Sequence, residues 1–267
     1  MKLKFFLLYL FCSCVVQAAR VDTVHIKSAS MNKEVQTLII TPDQTTYRKC
    51  PVIYLLHGYS GNARTWMGIK PNLPALADAK GIIFVCPDGK NSWYWDSPLV
   101  PGYRYETFIS SELVSYIDTH YHTIAEKKGR AITGLSMGGH GALWNAFRHK
   151  EVFGAAGSTS GGVDIRPFPD NWEMRIQLGR QSEYKQNWED YTVINQIDHI
   201  DKGDLALVID CGEDDFFLEG NIQFHQKLLK KGIDHDFITR PGGHDNMYWR
   251  NSIDYQILFF EKFFNRK

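Results

Sequence analysis

The chain has 267 residues, 43% of them hydrophobic and 22% charged, an ordinary globular composition in which one core can grow large without disulfide staples. Its 30 Lys and Arg offset 30 Asp and Glu, so the formal net charge is +0, and no block of like charges stands out. That balance argues against nucleic acid or an anionic membrane surface as the principal partner.

The chain opens with Met1-Lys2-Leu3-Lys4, an apolar run over residues 5–16 and then Gln17-Ala18-Ala19: a basic region, a hydrophobic region and small residues at a cleavage position. Residues 1–19 therefore read as a secretory signal peptide, and the mature chain, a single domain over 20–267, is expected to be secreted or periplasmic. The apolar run is too short to span a bilayer and no other segment reaches about 18 apolar residues, so stable membrane insertion is not expected. Cys14 offers a lipid-attachment alternative, but Phe11-Cys12-Ser13 before it is a poor lipoprotein signal. Outside this leader lie Cys50, Cys86 and Cys211, an odd number with no short spacing, which suits neither a disulfide scaffold nor a zinc site. Cys86 and Cys211 end apolar runs and read as small buried residues, while an oxidising compartment leaves a Cys50–Cys86 bridge open.

Residues 21–28 and 35–41 read as antiparallel strands, and 51–56 as a central strand apolar on both faces. A glycine-bearing loop follows, His57-Gly58-Tyr59-Ser60-Gly61, then a helix over 66–80 and a buried strand over 82–85 ending in Pro87-Asp88-Gly89. Trp93, Tyr94 and Trp95 in the next loop offer flat apolar faces to a substrate pocket, or else pack in the core. A helix is expected over 105–121 and a strand over 130–133, which runs into Gly134-Leu135-Ser136-Met137-Gly138 and a helix over 139–149. This G-x-S-x-G between strand and helix is the pattern of a nucleophile elbow, where flanking glycines remove the clashes of a sharp, strained turn. Further strands are expected over 154–158, 205–210 and 235–239, helices over 221–231 and 253–264, and an insertion or cap over the polar stretch 162–203. Strands alternating with helices predict an α/β architecture, a doubly wound, mostly parallel sheet with helices on both faces.

A serine hydroxyl is a weak nucleophile and needs a base held in the right tautomer by a carboxylate. Ser136 is followed in chain order by Asp214-Asp215, after one late strand, and by His244 in Pro241-Gly242-Gly243-His244, after the last. Either acid can orient His244 while the other caps the following helix. The backbone N–H of Met137, the residue after the serine, and that of Tyr59, in the loop after the central strand, are the natural donors to an oxyanion. His57 reads as structural rather than as a second base. This chemistry requires no metal and no organic cofactor.

Together, His57-Gly58-Tyr59-Ser60-Gly61-Asn62 with Trp66, Pro87-Asp88-Gly89, Gly134-Leu135-Ser136-Met137-Gly138-Gly139 and Cys211-Gly212-Glu213-Asp214-Asp215-Phe216 resemble the esterase D family of α/β-hydrolases, over roughly residues 35–260. The resemblance implies the α/β-hydrolase fold, a triad of Ser136, Asp215 and His244, and Asp215 as the acid of the pair. It also implies a serine carboxylesterase acting on a small ester or an acylated carbohydrate, with short-chain acyl or hydroxycinnamoyl groups such as acetyl or feruloyl on plant polysaccharide. An S-formylglutathione hydrolase-like thioesterase or an acyltransferase would use the same residues. A catalytically silent carbohydrate-binding module that keeps the fold is the alternative from another class.

Overall fold

A computed structural model describes residues 19–43 and 49–266; the expected leader, except Ala19, and the lipidation candidate Cys14 lie outside the described residues. The strands form one eight-stranded sheet. β1 (Arg20–Ser28) and β2 (Lys33–Thr41) pair antiparallel, and β2 pairs antiparallel with β4 (Ile83–Pro87). From β4 onward every pairing is parallel, through β3 (Val52–Leu56), β5 (Arg130–Gly134), β6 (Ala155–Thr159), β7 (Ala206–Gly212) and β8 (Asp236–Arg240). The order β1-β2-β4-β3-β5-β6-β7-β8 is the doubly wound arrangement expected, with central strands buried on both faces.

The helices are α1 (Thr65–Ile69), α2 (Leu73–Lys80), α3 (Tyr105–Thr107), α4 (Val114–His120), α5 (Met137–Arg148), α6 (Met174–Leu178), α7 (Lys185–Asp190), α8 (Leu218–Lys231) and α9 (Asn246–Phe264). Side-chain alternation divides the core by face. Tyr54 and Leu56 of β3 pack with Met137 and Leu143 of α5 on one side, whereas Ile53 and Leu55 pack with Trp66, Leu73 and Ile257 on the other.

Three helical expectations change for local reasons. The helix over 66–80 is two helices, because Pro71 excludes helical geometry at Lys70, which sits at φ −126° and ψ 75°. The helix over 105–121 contains a π-helical turn, Phe108–Leu113, that joins α3 to α4. The final helix starts at Asn246, ahead of its apolar stripe, because the Asp245 side chain accepts the Met247 and Tyr248 N–H groups and caps it. The Cys50–Cys86 bridge is also corrected. Cys86 is a free buried thiol pushed up to about 12 by burial, and it faces the α2 side of the sheet while Cys50 faces the other. Residues 162–203 carry α6, α7 and two 3₁₀ turns, Val193–Asn195 and Ile197–His199. Among the described residues, no helix is long and apolar enough to cross a membrane.

Candidate active site

Ser136 stands at the turn between β5 and α5 with φ +53° and ψ −117°, a left-handed geometry that costs a non-glycine residue roughly 1–3 kcal/mol. Its neighbours hold it there: the Ser136 N–H donates to Thr159 O at 2.9 Å and the Leu135 N–H to Leu56 O at 3.2 Å, so the turn is tied to the ends of β6 and β3. Space is as restrictive as hydrogen bonding. A Cβ on Gly138 would lie 2.2 Å from Leu56 O, and one on Gly134 would lie 2.4 Å from the Gly138 carbonyl. This is why α5 begins at Met137 despite the poor helix propensity of Gly138, Gly139 and Gly141.

The structure brings the three separated polar residues into one chain. His244 Nε2 is 2.9 Å from Ser136 Oγ, and His244 Nδ1 is 2.9 Å from Asp215 Oδ2. The Asp215 side chain is 0% exposed, so its ionised form requires donors, and it has them: Nδ1–H of His244 on Oδ2 and the Phe217 N–H at 2.9 Å on Oδ1. One acid thus orients the imidazole and caps the turn into α8, while Asp214 is exposed and uses its N–H on Gly242 O at 2.9 Å. With Nδ1 carrying the proton, Nε2 is free to accept one from Ser136.

Beyond the triad, a second polar network fastens the histidine-bearing end of the chain. The Tyr248 hydroxyl donates to Asp210 Oδ1 at 2.6 Å, Ser252 Oγ meets Thr159 Oγ1 at 2.7 Å, and Gln256 Nε2 donates to Thr159 Oγ1 at 2.6 Å. Arg240 pairs with the other Asp210 oxygen, and Thr133 donates to Gln256 Oε1. The i, i+4, i+8 spacing of Tyr248, Ser252 and Gln256 places them on one face of α9, which is joined to the ends of β5, β6 and β7 immediately after His244.

The loop after β3 lies against the serine: a Cβ on Gly58 would come 3.4 Å from Ser136 Cβ. His57, 1% exposed, braces this loop, its Nδ1–H donating to Gly58 O at 2.7 Å and its Nε2 accepting the Gly89 N–H at 2.8 Å. Both ring nitrogens are occupied within the fold, which leaves His57 the structural part. Tyr59 follows in this loop, and Met137 opens α5, where a first-turn N–H has no intrahelical acceptor.

The aromatic pocket expected from Trp93, Tyr94 and Trp95 requires correction: their exposures are 1%, 0% and 0%, and they present no surface to a substrate. They turn inward because Gly89 and Gly141 leave a slot for the Tyr94 ring, each having room for no Cβ, and the Tyr94 hydroxyl donates to His57 O at 3.0 Å. Trp95 Nε1–H donates to His140 Nε2 at 2.7 Å, and His140 Nδ1–H donates to Gly162 O at 2.8 Å. His140, fully buried, is lowered to about 4 by desolvation, against the opposing pull of the Gly162 carbonyl. Sequence reasoning missed this neutral histidine, and only its place one helical turn after Ser136 could have pointed to it.

It also missed two rings beside the site, Phe216, which is exposed, and Trp172, which is half-buried. Phe216 is 52% exposed with its ring centroid 4.3 Å from that of His244, and Trp172 stacks on Phe216 at 5.8 Å and 20°. Phe216 stands beside the acidic pair and was open to discovery, whereas Trp172 comes from the inserted stretch, which no local pattern connects to His244. Among the described residues, no group of three or more His, Cys, Asp and Glu is placed to hold a metal ion.

Ser136, Asp215, His244 and Tyr59 all follow the carboxyl ends of parallel strands, as a site on an open α/β sheet should. The architecture is that of an α/β-hydrolase with a Ser-His-Asp chain at the strand ends. Comparison with known proteins agrees: the Esterase family model matches residues 28–260, and the chain belongs to that family. A solved structure of a ferulic acid esterase superposes with a TM-score of 0.77 at 30% identity, spanning 92% of this chain and 98% of its own. The acetyl esterase of Caldicellulosiruptor saccharolyticus is 27% identical over 216 residues, 75% of this chain and 79% of its own. An esterase of Mycobacterium tuberculosis is 31% identical over 238 residues, 77% of this chain but 51% of its own, so the chain spans about half the length of that relative.

Proposed function

We propose that this protein is an exported serine carboxylesterase that hydrolyses short-chain acyl or hydroxycinnamoyl esters, acetyl or feruloyl groups on plant polysaccharide among them. The observation that carries the reading is the unbroken hydrogen-bond chain from Ser136 Oγ through His244 to buried Asp215. In this mechanism His244 Nε2 takes the hydroxyl proton as Ser136 Oγ attacks the ester carbonyl, and the Asp215 carboxylate stabilises the imidazolium through Nδ1–H. The Tyr59 and Met137 amides receive the oxyanion, each donor contributing about 2.7–4 kcal/mol in such sites. His244 then protonates the departing alcohol, and water repeats the sequence to release the acid. The names of the acetyl and ferulic acid esterase relatives support the acyl groups, and the leader-like composition of residues 1–19 supports export.

Purified protein assayed on ethyl acetate, a butyrate and ethyl ferulate tests this directly. Ser136→Ala should lower turnover by at least about a thousandfold with the fold intact, and a fluorophosphonate should label the parent chain stoichiometrically at Ser136. A folded Ser136→Ala protein that keeps its activity, or a parent chain that neither turns over nor labels, would refute the reading. Fractionation of expressing cells for a shortened product outside the cytoplasm tests export.

A further inference from the structure

The rings around His244 are unequally exposed. Phe217 is 3% exposed and packs beneath the histidine, whereas Phe216, next to the orienting acid, turns outward. Trp172, half-buried, lies against Phe216 with the two rings within 20° of parallel, and Phe168 packs on Trp172 at a centroid distance of 5.3 Å. Trp172 and Glu173 both occupy left-handed backbone geometry, with φ of +50° and +57°, which side chains rarely adopt. Such strain persists where surrounding contacts over-determine it. Those contacts are visible: Glu173 accepts a hydrogen bond from Asn91 Nδ2 at 3.1 Å and interacts with the Tyr59 phenol, which ties the inserted segment to the oxyanion loop.

In serine ester hydrolysis the base delivers its proton to the leaving oxygen, so the open surface beside His244 borders the alcohol rather than the acyl group. That surface combines a flat apolar face with the acceptor-rich Glu173 at its margin. A pyranose needs both, an apolar partner for its axial C–H face and acceptors for its hydroxyls. An open platform also lets a polymer chain continue past the esterified sugar. Resting on the serine esterase reading, we propose that Phe216 and Trp172 form the alcohol subsite and stack against the sugar ring that carries the ester.

The test separates side from mechanism by keeping the acyl group constant. For the parent chain, Phe216→Ala, Trp172→Ala and Trp172→Phe, kcat/KM is measured on acetylated methyl xyloside and on ethyl acetate, with ethyl ferulate added to load the acyl side. The ratio of sugar ester to ethyl acetate should fall about tenfold in each alanine variant, mainly through KM, and recover most of its value in Trp172→Phe. Circular dichroism establishes that each variant is folded. A ratio unmoved in both folded alanine variants overturns the proposal, as does a selective loss of the ferulate-to-acetate ratio, which would put the rings on the acyl side. Calorimetric binding of xylotriose to Ser136→Ala, with and without Trp172→Ala, reads the platform independently of turnover. Loss of all ester hydrolysis in the parent chain would instead strike the esterase reading.

Discussion

At the scale of single residues, adjacent positions with the same charge have different environments. Asp214 and Asp215 are both acids, but the end of β7 turns one into solvent and buries the other against His244 Nδ1. Asp215→Asn would present an amide to the imidazole and favour the wrong tautomer, so turnover on a simple butyrate should fall by up to about four orders of magnitude. Asp214→Asn should remain near the parent rate, since its contribution to the site is a backbone N–H. If the two variants ranked in the opposite order, the acid would be misassigned. Sequence patterns made Ser136 and His244 legible because each sits in a glycine-rich turn after a strand. The platform residue Trp172 was illegible because nothing near it in sequence refers to the histidine 72 positions later.

At the scale of elements, the elbow depends on α5 approaching β3 more closely than side chains allow. A Cβ on Gly138 would meet Leu56 C at 2.6 Å and His57 O at 2.7 Å, all backbone atoms that cannot swing aside. Gly138→Ala must therefore push α5 off the sheet or displace the loop that carries Tyr59. Overpacking of this kind costs about 1–3 kcal/mol, and an ångström of misplacement at a reacting centre can cost about a hundredfold in rate. Urea denaturation and initial rates on one ester should show both losses, and a variant neutral in both would contradict this account of the turn. The same packing explains why α5 starts at Met137, ahead of the expected start at Gly139: glycines weaken an isolated helix, but tertiary contact selected them here.

At the scale of the whole molecule, the elbow helix encloses a histidine that the fold keeps neutral. His140 is lowered to about 4 in the folded protein, below the value near 6.5 of an unfolded histidine, chiefly by desolvation. Above about pH 6.5 neither state binds a proton there and the contribution is complete; between about 6.5 and 4 only the unfolded chain is protonated, so stability falls with pH. The loss across that window is about 3 kcal/mol. Urea titrations at pH 7 and pH 4.5 should show a smaller drop for His140→Gln than for the parent chain, and equal drops would remove His140 from the acid response. By itself the sequence determined what local chemistry can encode: alternating strands and helices, the strained serine turn, the glycine-bearing loops and the chain order of the catalytic candidates. Only the tertiary structure decided which face each ring takes. Trp93, Tyr94 and Trp95 vanish into the core because Gly89 and Gly141 make room for Tyr94 and His140 offers a buried acceptor to Trp95. Phe216 reaches the surface beside His244 and the half-buried Trp172 lies against it because separate loops meet there, and burial is a property of that meeting rather than of any one segment.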